Sequence, residues 1–432
     1  MITNSTPHLE VLTFVMTIEY NGYYYAGFQR QTATNQQEQC AHLPTNNVKS
    51  SKRPRRRVAS STPASPHPVT VQHQLEMALQ QWTNLCIRTL RVRGAGRTDK
   101  GVHAHGQVVA FDIPVRLLKL GEDTNHHPNN NTEEGETLSD QCIVHLQEAY
   151  HVLNRHLQHQ FSSNDTTAIR SNKSTIDQWQ IRRAITTRLR CSDIAIRSVR
   201  MYTGCSITQQ PFEARKNIKC KTYVYKLRFR RLAYIPSILH DVKDTIHPIC
   251  HAGPHLLRRI HDNNSIWLCP WSLDSTVLRV TCAAFVGRHD FINFVHKDER
   301  KAGLMKMEAV DEFHDDDGGD GKQHEIDLFQ FNIVESVTAE KEEEELGDNL
   351  ILLPPVVDAT FTLSAKGFHR SMVRNLVGFV VDVARGMHSI DDIPLLLSSK
   401  KGEYLQSGGM VNAAPACGLC LAKVEYEHDD FF

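Results

Sequence analysis

Apolar and polar residues alternate from Val11 to Tyr20, a period of two that predicts a strand. From Thr70 the period lengthens. Val71, Leu75, Ala78, Leu79 and Trp82 fall on one face of a helix, with Thr70 as its N-cap. Ile143, Leu146, Tyr150, Leu153 and Leu157 mark a second helical stripe. Strand patterns run over 194–201 and 222–229. A second half begins near Thr276, with a strand over 359–365, a helix over 370–384 and a closing strand over 419–426. Polar low-complexity insertions interrupt this pattern at about 32–67, 121–139 and 158–178, and an acidic one fills most of 297–350. Strands and helices mix without long βαβ units, so the pattern predicts an α+β fold with a mainly antiparallel sheet. The expected organisation is an N-terminal half over 1–230, an irregular connector over 231–275 and a C-terminal half over 276–432. No internal repeat is visible.

Two strand-like runs, 89–93 and 107–111, bracket the most specific stretch of the chain: Gly94-Ala95-Gly96-Arg97-Thr98-Asp99-Lys100-Gly101-Val102-His103-Ala104. It sets one carboxylate, Asp99, in a glycine-flanked turn where a large ligand can approach the backbone closely. Arg97 lies two positions before it. An aspartate beside a cation on a rigid loop suits a nucleophile or a general base.

The string 94–108 resembles the pattern G-A-G-R-T-D-x-G-V-H-A-x-G-Q-V of the TruA family of tRNA pseudouridine synthases. Other blocks follow in that family's order: Tyr20-Asn21-Gly22 with Gly27-Phe28-Gln29-Arg30-Gln31, Phe212-Glu213-Ala214-Arg215 with Tyr223-Val224-Tyr225, and Gly287-Arg288-His289-Asp290-Phe291. Gly367-Phe368 with Met372-Val373-Arg374-Asn375-Leu376-Val377-Gly378 and Ala414-Pro415-Ala416-Cys417-Gly418-Leu419 complete the series. Three positions depart from the pattern: Lys100 for Ala, Glu213 for His and Lys221 for Arg.

The resemblance implies two similar α/β halves, with mainly antiparallel sheets, joined around a central RNA-binding cleft. It implies that uridine is isomerised to pseudouridine in the anticodon stem-loop of tRNA (nucleotides 38–40). Asp99 is then the nucleophile, Arg97 assists flipping of the base, and Tyr223 stacks on the uracil. Arg374 serves as counter-ion to Asp99, while Val373 and Leu376 wall the base. No group enters or leaves in this isomerisation, so no cofactor and no metal is expected. Other RNA targets, and a silent RNA-binding protein on the same scaffold, are the alternatives. Homodimers are common in the family, an assembly that long insertions could block.

Charge changes the picture. The 49 basic and 49 acidic residues cancel overall. Residues 308–345 hold 15 acids and 2 bases, which leaves 47 bases against 34 acids elsewhere. A basic body fits backbone contact with RNA, and the acidic stretch should lie off that face. The run Lys52-Arg53-Pro54-Arg55-Arg56-Arg57 reads as a nuclear import signal, a phosphate-binding arm or a solvated charge run. Eleven scattered cysteines read as reduced thiols. Cys417-x-x-Cys420 has no second pair spaced for zinc. The His103-x-His105 pair near Asp99 invites a metal reading, but the resemblance implies none, since ordinary members of that family carry the first His without a metal. No apolar run of about 18 residues or signal-like start is present, so no membrane span is expected. The expected location is intracellular, in the nucleus or cytoplasm, with an organelle also open.

Overall fold

The computed structural model describes residues 11–30, 69–119, 137–148, 178–202, 211–232, 264–296, 324–339, 342–346, 349–397 and 411–427. Among these residues ten strands form one sheet, whose main path runs β4-β1-β3-β12-β5-β11-β8-β7. These are β1 (Val11–Tyr20), β3 (His103–Pro114), β4 (Ile194–Met201), β5 (Ile218–Arg231), β7 (Gly287–Asp290), β8 (Glu325–Ala339), β11 (Val356–Ala365) and β12 (Leu419–Tyr426). The short β2 (Arg93–Gly94) pairs with β3, and β6 (Trp267–Leu273) runs parallel to β5. A separate hairpin joins β9 (Glu342–Leu346) to β10 (Asn349–Leu353).

Pairing is antiparallel except for β5–β6 and a short parallel contact between β12 and β3. The expected α+β class with a mainly antiparallel sheet is therefore what the chain adopts. The last strand lies in the middle of the sheet. β12 pairs with β3 through Cys420 and Leu421 and with β5 through Leu421 opposite Tyr223. It thereby ties the start of β3, just after the Asp99 turn, to the strand that carries Tyr223.

Helices cover one face, α3 (residues 140–148) and α4 (Trp179–Thr186) among them. α1 (Val71–Thr83) buries Val71, Leu75, Ala78, Leu79 and Trp82, and the Thr70 hydroxyl caps it by accepting from His73 N–H. Trp82 meets Phe111 edge-on at 6.4 Å, and Phe111 stacks on Phe14 across β1 and β3. On the other half, α5 (Ser275–Ala284) and α6 (Met372–Ala384) pack over β8 and β11 around Phe285, Phe294, Phe331 and Phe379. Phe14–Phe111, Leu421–Tyr223, Tyr223–Leu363 and Leu363–Phe331 are register partners, which point to the same side. Both helical layers thus share one continuous core.

Several expectations need correcting. Residues 89–93 are not a strand. α2 (Ile87–Leu90) ends when Arg91 turns left-handed at φ 44°, and only Arg93 and Gly94 then pair with β3. The connector is not wholly irregular, because it contains β6. Pro270 masks that strand in the sequence, but β6 bonds only to β5, and an edge strand tolerates proline. The acidic insertion over 297–350 contains β8, β9 and the first residues of β10. β8 reads poorly because exposed apolar residues, Phe329, Val334 and Val337, interrupt its alternation with the buried Leu328 and Phe331. In the helix over 140–148, Cys142 and Leu146 are the buried positions, and Tyr150, Leu153 and Leu157 lie outside the described residues. So do 32–67, the basic run within it, 121–136 and 158–177. Among the described residues no helix is long and apolar enough to cross a membrane.

Candidate active site

The Asp99 turn is fixed from several sides. Ala95 N–H donates to Val108 O at 2.8 Å, and the buried Gln107 amide donates to Gly96 O at 2.8 Å. Lys221 Nζ donates to Ala95 O at 2.9 Å. The Thr98 hydroxyl lies 2.9 Å from that of Tyr20, and Phe28 N–H donates to Thr98 O at 3.2 Å. Gly27 has φ +109°, and a Cβ there would stand 2.6 Å from Thr98 O, so only glycine lets the Gly27–Arg30 segment lie against the turn. The outcome is a rigid loop from which the Asp99 side chain projects toward the C-terminal part of the chain.

The other half supplies that side chain's partners. Ser371, the residue before α6, donates its hydroxyl to Asp99 Oδ2 at 3.0 Å. Arg374 Nη1 stands 3.6 Å from Oδ2 and Arg370 Nε 3.8 Å from Oδ1. Those two separations are charge contacts rather than hydrogen bonds. Arg374 is itself anchored, since its Nε donates to Ala414 O at 2.7 Å. The carboxylate therefore sits at the head of α6, with positive charge on both sides and the positive end of the helix dipole before it.

These groups open onto a cavity of about 940 Å³. Arg30, Arg97, Lys100, Arg215, Lys221, Arg370 and Arg374 line it, and Asp99 is the one carboxylate among its described lining residues. Such a surplus of cations suits a polyanion. The Tyr223 ring forms part of the wall and packs edge-on against Phe368 at 5.2 Å. Burial, with the nearby Asp99 charge, raises the Tyr223 pKa well above its usual 10. Burial, then the charge of Arg215, lowers the Lys221 pKa to about 8.

A family model described as tRNA pseudouridine synthase matches residues 281–427. The tRNA pseudouridine synthase A of Finegoldia magna is 25% identical over 361 residues, covering 83% of this chain and 90% of the relative. That of Bacillus cereus, tRNA pseudouridine synthase A 1, is 23% identical over 359 residues, with the same coverage of each chain. These matches support membership of the TruA family of tRNA pseudouridine synthases. A third relative, the tRNA pseudouridine synthase A of Streptococcus pneumoniae, is 35% identical over 112 residues, 25% of this chain and 30% of its own.

The structure brings Asp99, Arg97, Tyr223, Val373 and Arg374 to the same cavity. It does not bring Leu376, which is fully buried in the core one turn further into α6 and is not among the lining residues. A contact side chain three residues after Val373 shares its helix face but lies deeper under the sheet. Tyr225, on the same side of β5 as Tyr223, is a core residue whose hydroxyl donates to Pro415 O at 2.8 Å. Of the three departures from the TruA pattern, Glu213 stands outside the cavity and pairs with Arg91 at 2.9 Å. Lys100 is exposed on its rim, and Lys221 is inside it.

His103 is buried, accepts at Nδ1 from Gly22 N–H at 3.2 Å and has Nε2 3.2 Å from Asn264 O. Burial lowers its pKa. His105 is exposed and lies 3.4 Å from Glu19, so the two rings serve different surroundings. Cys420 is buried and Cys417 half-buried, both with free thiols. Sequence reasoning overlooked Ser371 and Arg370 because both were counted as ordinary first-turn helix residues. The signal available was Ser371 itself, a typical N-cap type directly before the apolar stripe of α6.

Proposed function

We propose that this chain isomerises uridine to pseudouridine in the anticodon stem-loop of tRNA, with Asp99 as the nucleophile. The observation that carries the reading is Asp99 as the one described carboxylate in a cavity otherwise lined by cations, beside an aromatic wall. The seven lysines and arginines accept the phosphates of the RNA backbone and hold the substrate by shape rather than by base edges. The target uridine leaves its stack, at a cost of a few kcal/mol, and enters against Tyr223. Arg97, exposed on the rim, fills the vacated space or braces the flanking phosphate. Val373 closes the apolar side of the base pocket.

In the reaction the N1–C1′ bond breaks and its electron pair stays on the uracil. The base turns, C5 bonds to C1′, and the proton lost from C5 is matched by one taken up at N1. The atoms of substrate and product are the same, so the chemistry needs only a carboxylate, a pocket that retains the free base and a proton route. The test uses the purified full chain with folded tRNA whose uridines carry tritium at C5, followed by mapping of pseudouridine. Tritium release with pseudouridine in the anticodon stem-loop, persisting in EDTA and weakening steeply with salt, is expected. A short unstructured oligonucleotide with the same uridine should react far more slowly. Pseudouridine confined to other positions would redirect the substrate assignment, and RNA binding without tritium release would leave an RNA-binding protein on the same scaffold.

A further inference from the structure

We infer that Ser371 is a positioning residue for Asp99: its hydroxyl holds Oδ2, so that Oδ1 is the oxygen presented to the uridine. This rests on the reading of Asp99 as nucleophile. A serine at the N-cap ordinarily turns its oxygen inward and accepts from an N–H two or three residues on. Ser371 makes no such capping bond. Its hydroxyl instead donates outward to Asp99 Oδ2 at 3.0 Å.

The backbone is bent to allow this. Ser371 has φ 61° and ψ −1°, the left-handed region that serine seldom enters and that recurs at functional sites. Neighbours on both sides impose that bend. His296 N–H donates to Arg370 O at 3.1 Å, Asn375 N–H donates to Ser371 O at 2.9 Å, and the Asn375 amide donates to Phe294 O at 2.6 Å.

The two carboxylate oxygens are consequently unequal. Oδ2 has the Ser371 hydroxyl and, at 3.6 Å, the anchored guanidinium of Arg374. Oδ1 has Arg370 at 3.8 Å, on a side chain that is 54% exposed and able to swing toward a phosphate. A carboxylate free to rotate about its terminal bond would spend less time with one lone pair aimed at the substrate. Fixing one oxygen is how the fold keeps the other in a near-attack position.

The experiment compares Ser371→Gly, Ser371→Ala and Ser371→Asn in the full chain, measuring kcat and KM on folded tRNA by tritium release, with Tm alongside. Glycine relieves the backbone and removes the hydroxyl, so Ser371→Gly should fold as well as the wild type. Its kcat should fall about tenfold to a hundredfold. Its KM for tRNA should stay within about twofold, because phosphate contacts elsewhere set affinity. Ser371→Ala should lose as much kcat and also lower Tm. Asparagine tolerates the left-handed conformation and its amide can donate to Oδ2, so Ser371→Asn should exceed Ser371→Gly in kcat. A Ser371→Gly enzyme turning over at the wild-type rate, a loss appearing wholly in KM, or no advantage of Asn over Gly would overturn the inference. Asp99→Asn, run in parallel, separates the two failures. Turnover by that variant sinks the reading of Asp99 itself, whereas an inactive Asp99→Asn beside a full-rate Ser371→Gly sinks only the role of Ser371.

Discussion

Tyr223 offers the sharpest division between ring and hydroxyl. It is 8% exposed, contacts Phe368 edge-on at 5.2 Å and lines the cavity beside Asp99. Tyr223→Ala removes the ring from the fold and from the substrate. The cavity left in the core should cost about 3–5 kcal/mol of stability. Loss of stacking on the uracil should cost a further ~1–3 kcal/mol of transition-state binding, or about fivefold to about 150-fold in kcat/KM. Tyr223→Phe keeps the ring, its contact with Phe368 and the stacking surface, and discards only the hydroxyl. Burial and the Asp99 charge hold that hydroxyl protonated through the neutral range, so it can donate a hydrogen bond there but does not act as an ionised base. The Phe variant should therefore stay well ahead of the Ala variant and keep the wild-type pH profile near neutrality. The assay is tritium release from C5-labelled tRNA under single-turnover conditions, with thermal melts to confirm that each variant is folded at the assay temperature. Equal losses in Phe and Ala would refute the stacking argument and assign the essential work to the hydroxyl.

Three further outcomes follow from the same geometry. Lys221 has its pKa lowered from 10.5 to about 8, first by burial and then by Arg215, so the folded protein binds this proton less tightly than the unfolded chain. Stability from this group should rise with pH between about 8 and about 10.5, by order of 3 kcal/mol, and urea titrations should show that rise disappear in Lys221→Met. Gly378→Ala should destabilise by upwards of about 3 kcal/mol or prevent folding, because its Cβ would meet Asn412 O at 1.8 Å; a thermal melt within a few degrees of wild type would contradict that packing. Replacing 301–321 with a short Gly/Ser linker should leave activity intact: His296 N–H bonds Arg370 O and the His324 ring lies 4.9 Å from that of His369, so the two ends already meet, and an insoluble or inactive product would make the segment structural.

The fold was most legible where the large apolar side chains recur on one face of a strand or helix. β1, β4 and β12 and the first helix could be read from period alone, since in β1 the large Leu12, Phe14, Met16, Ile18 and Tyr20 alternate with the smaller or polar Thr13, Val15, Thr17 and Glu19. Period fails where burial does not alternate cleanly. β8 exposes Phe329 and Val334, β6 carries Pro270, and 89–93 is bent by Arg91 at positive φ. The candidate site was legible as far as the Asp99 turn, because one short string carries both its glycines and its charges. Its other half was less so. Ser371 and Arg370 come to Asp99 across 272 and 271 positions of sequence, and only the central placement of β12 and the head of α6 shows that they meet it. Leu376 was misplaced for the opposite reason: its motif is right, but helical geometry turns it under the sheet.

The most direct measurement is tritium release by Asp99→Asn on folded tRNA, paired with a filter-binding titration on the same preparation. Asparagine preserves the size of the side chain and can still accept from Ser371, but it lacks the carboxylate charge and the nucleophilic oxygen pair. RNA affinity should remain within about threefold of wild type, because the surrounding lysines and arginines carry it, while turnover falls below detection. Measurable pseudouridine formation by the Asp99→Asn protein would contradict the central claim.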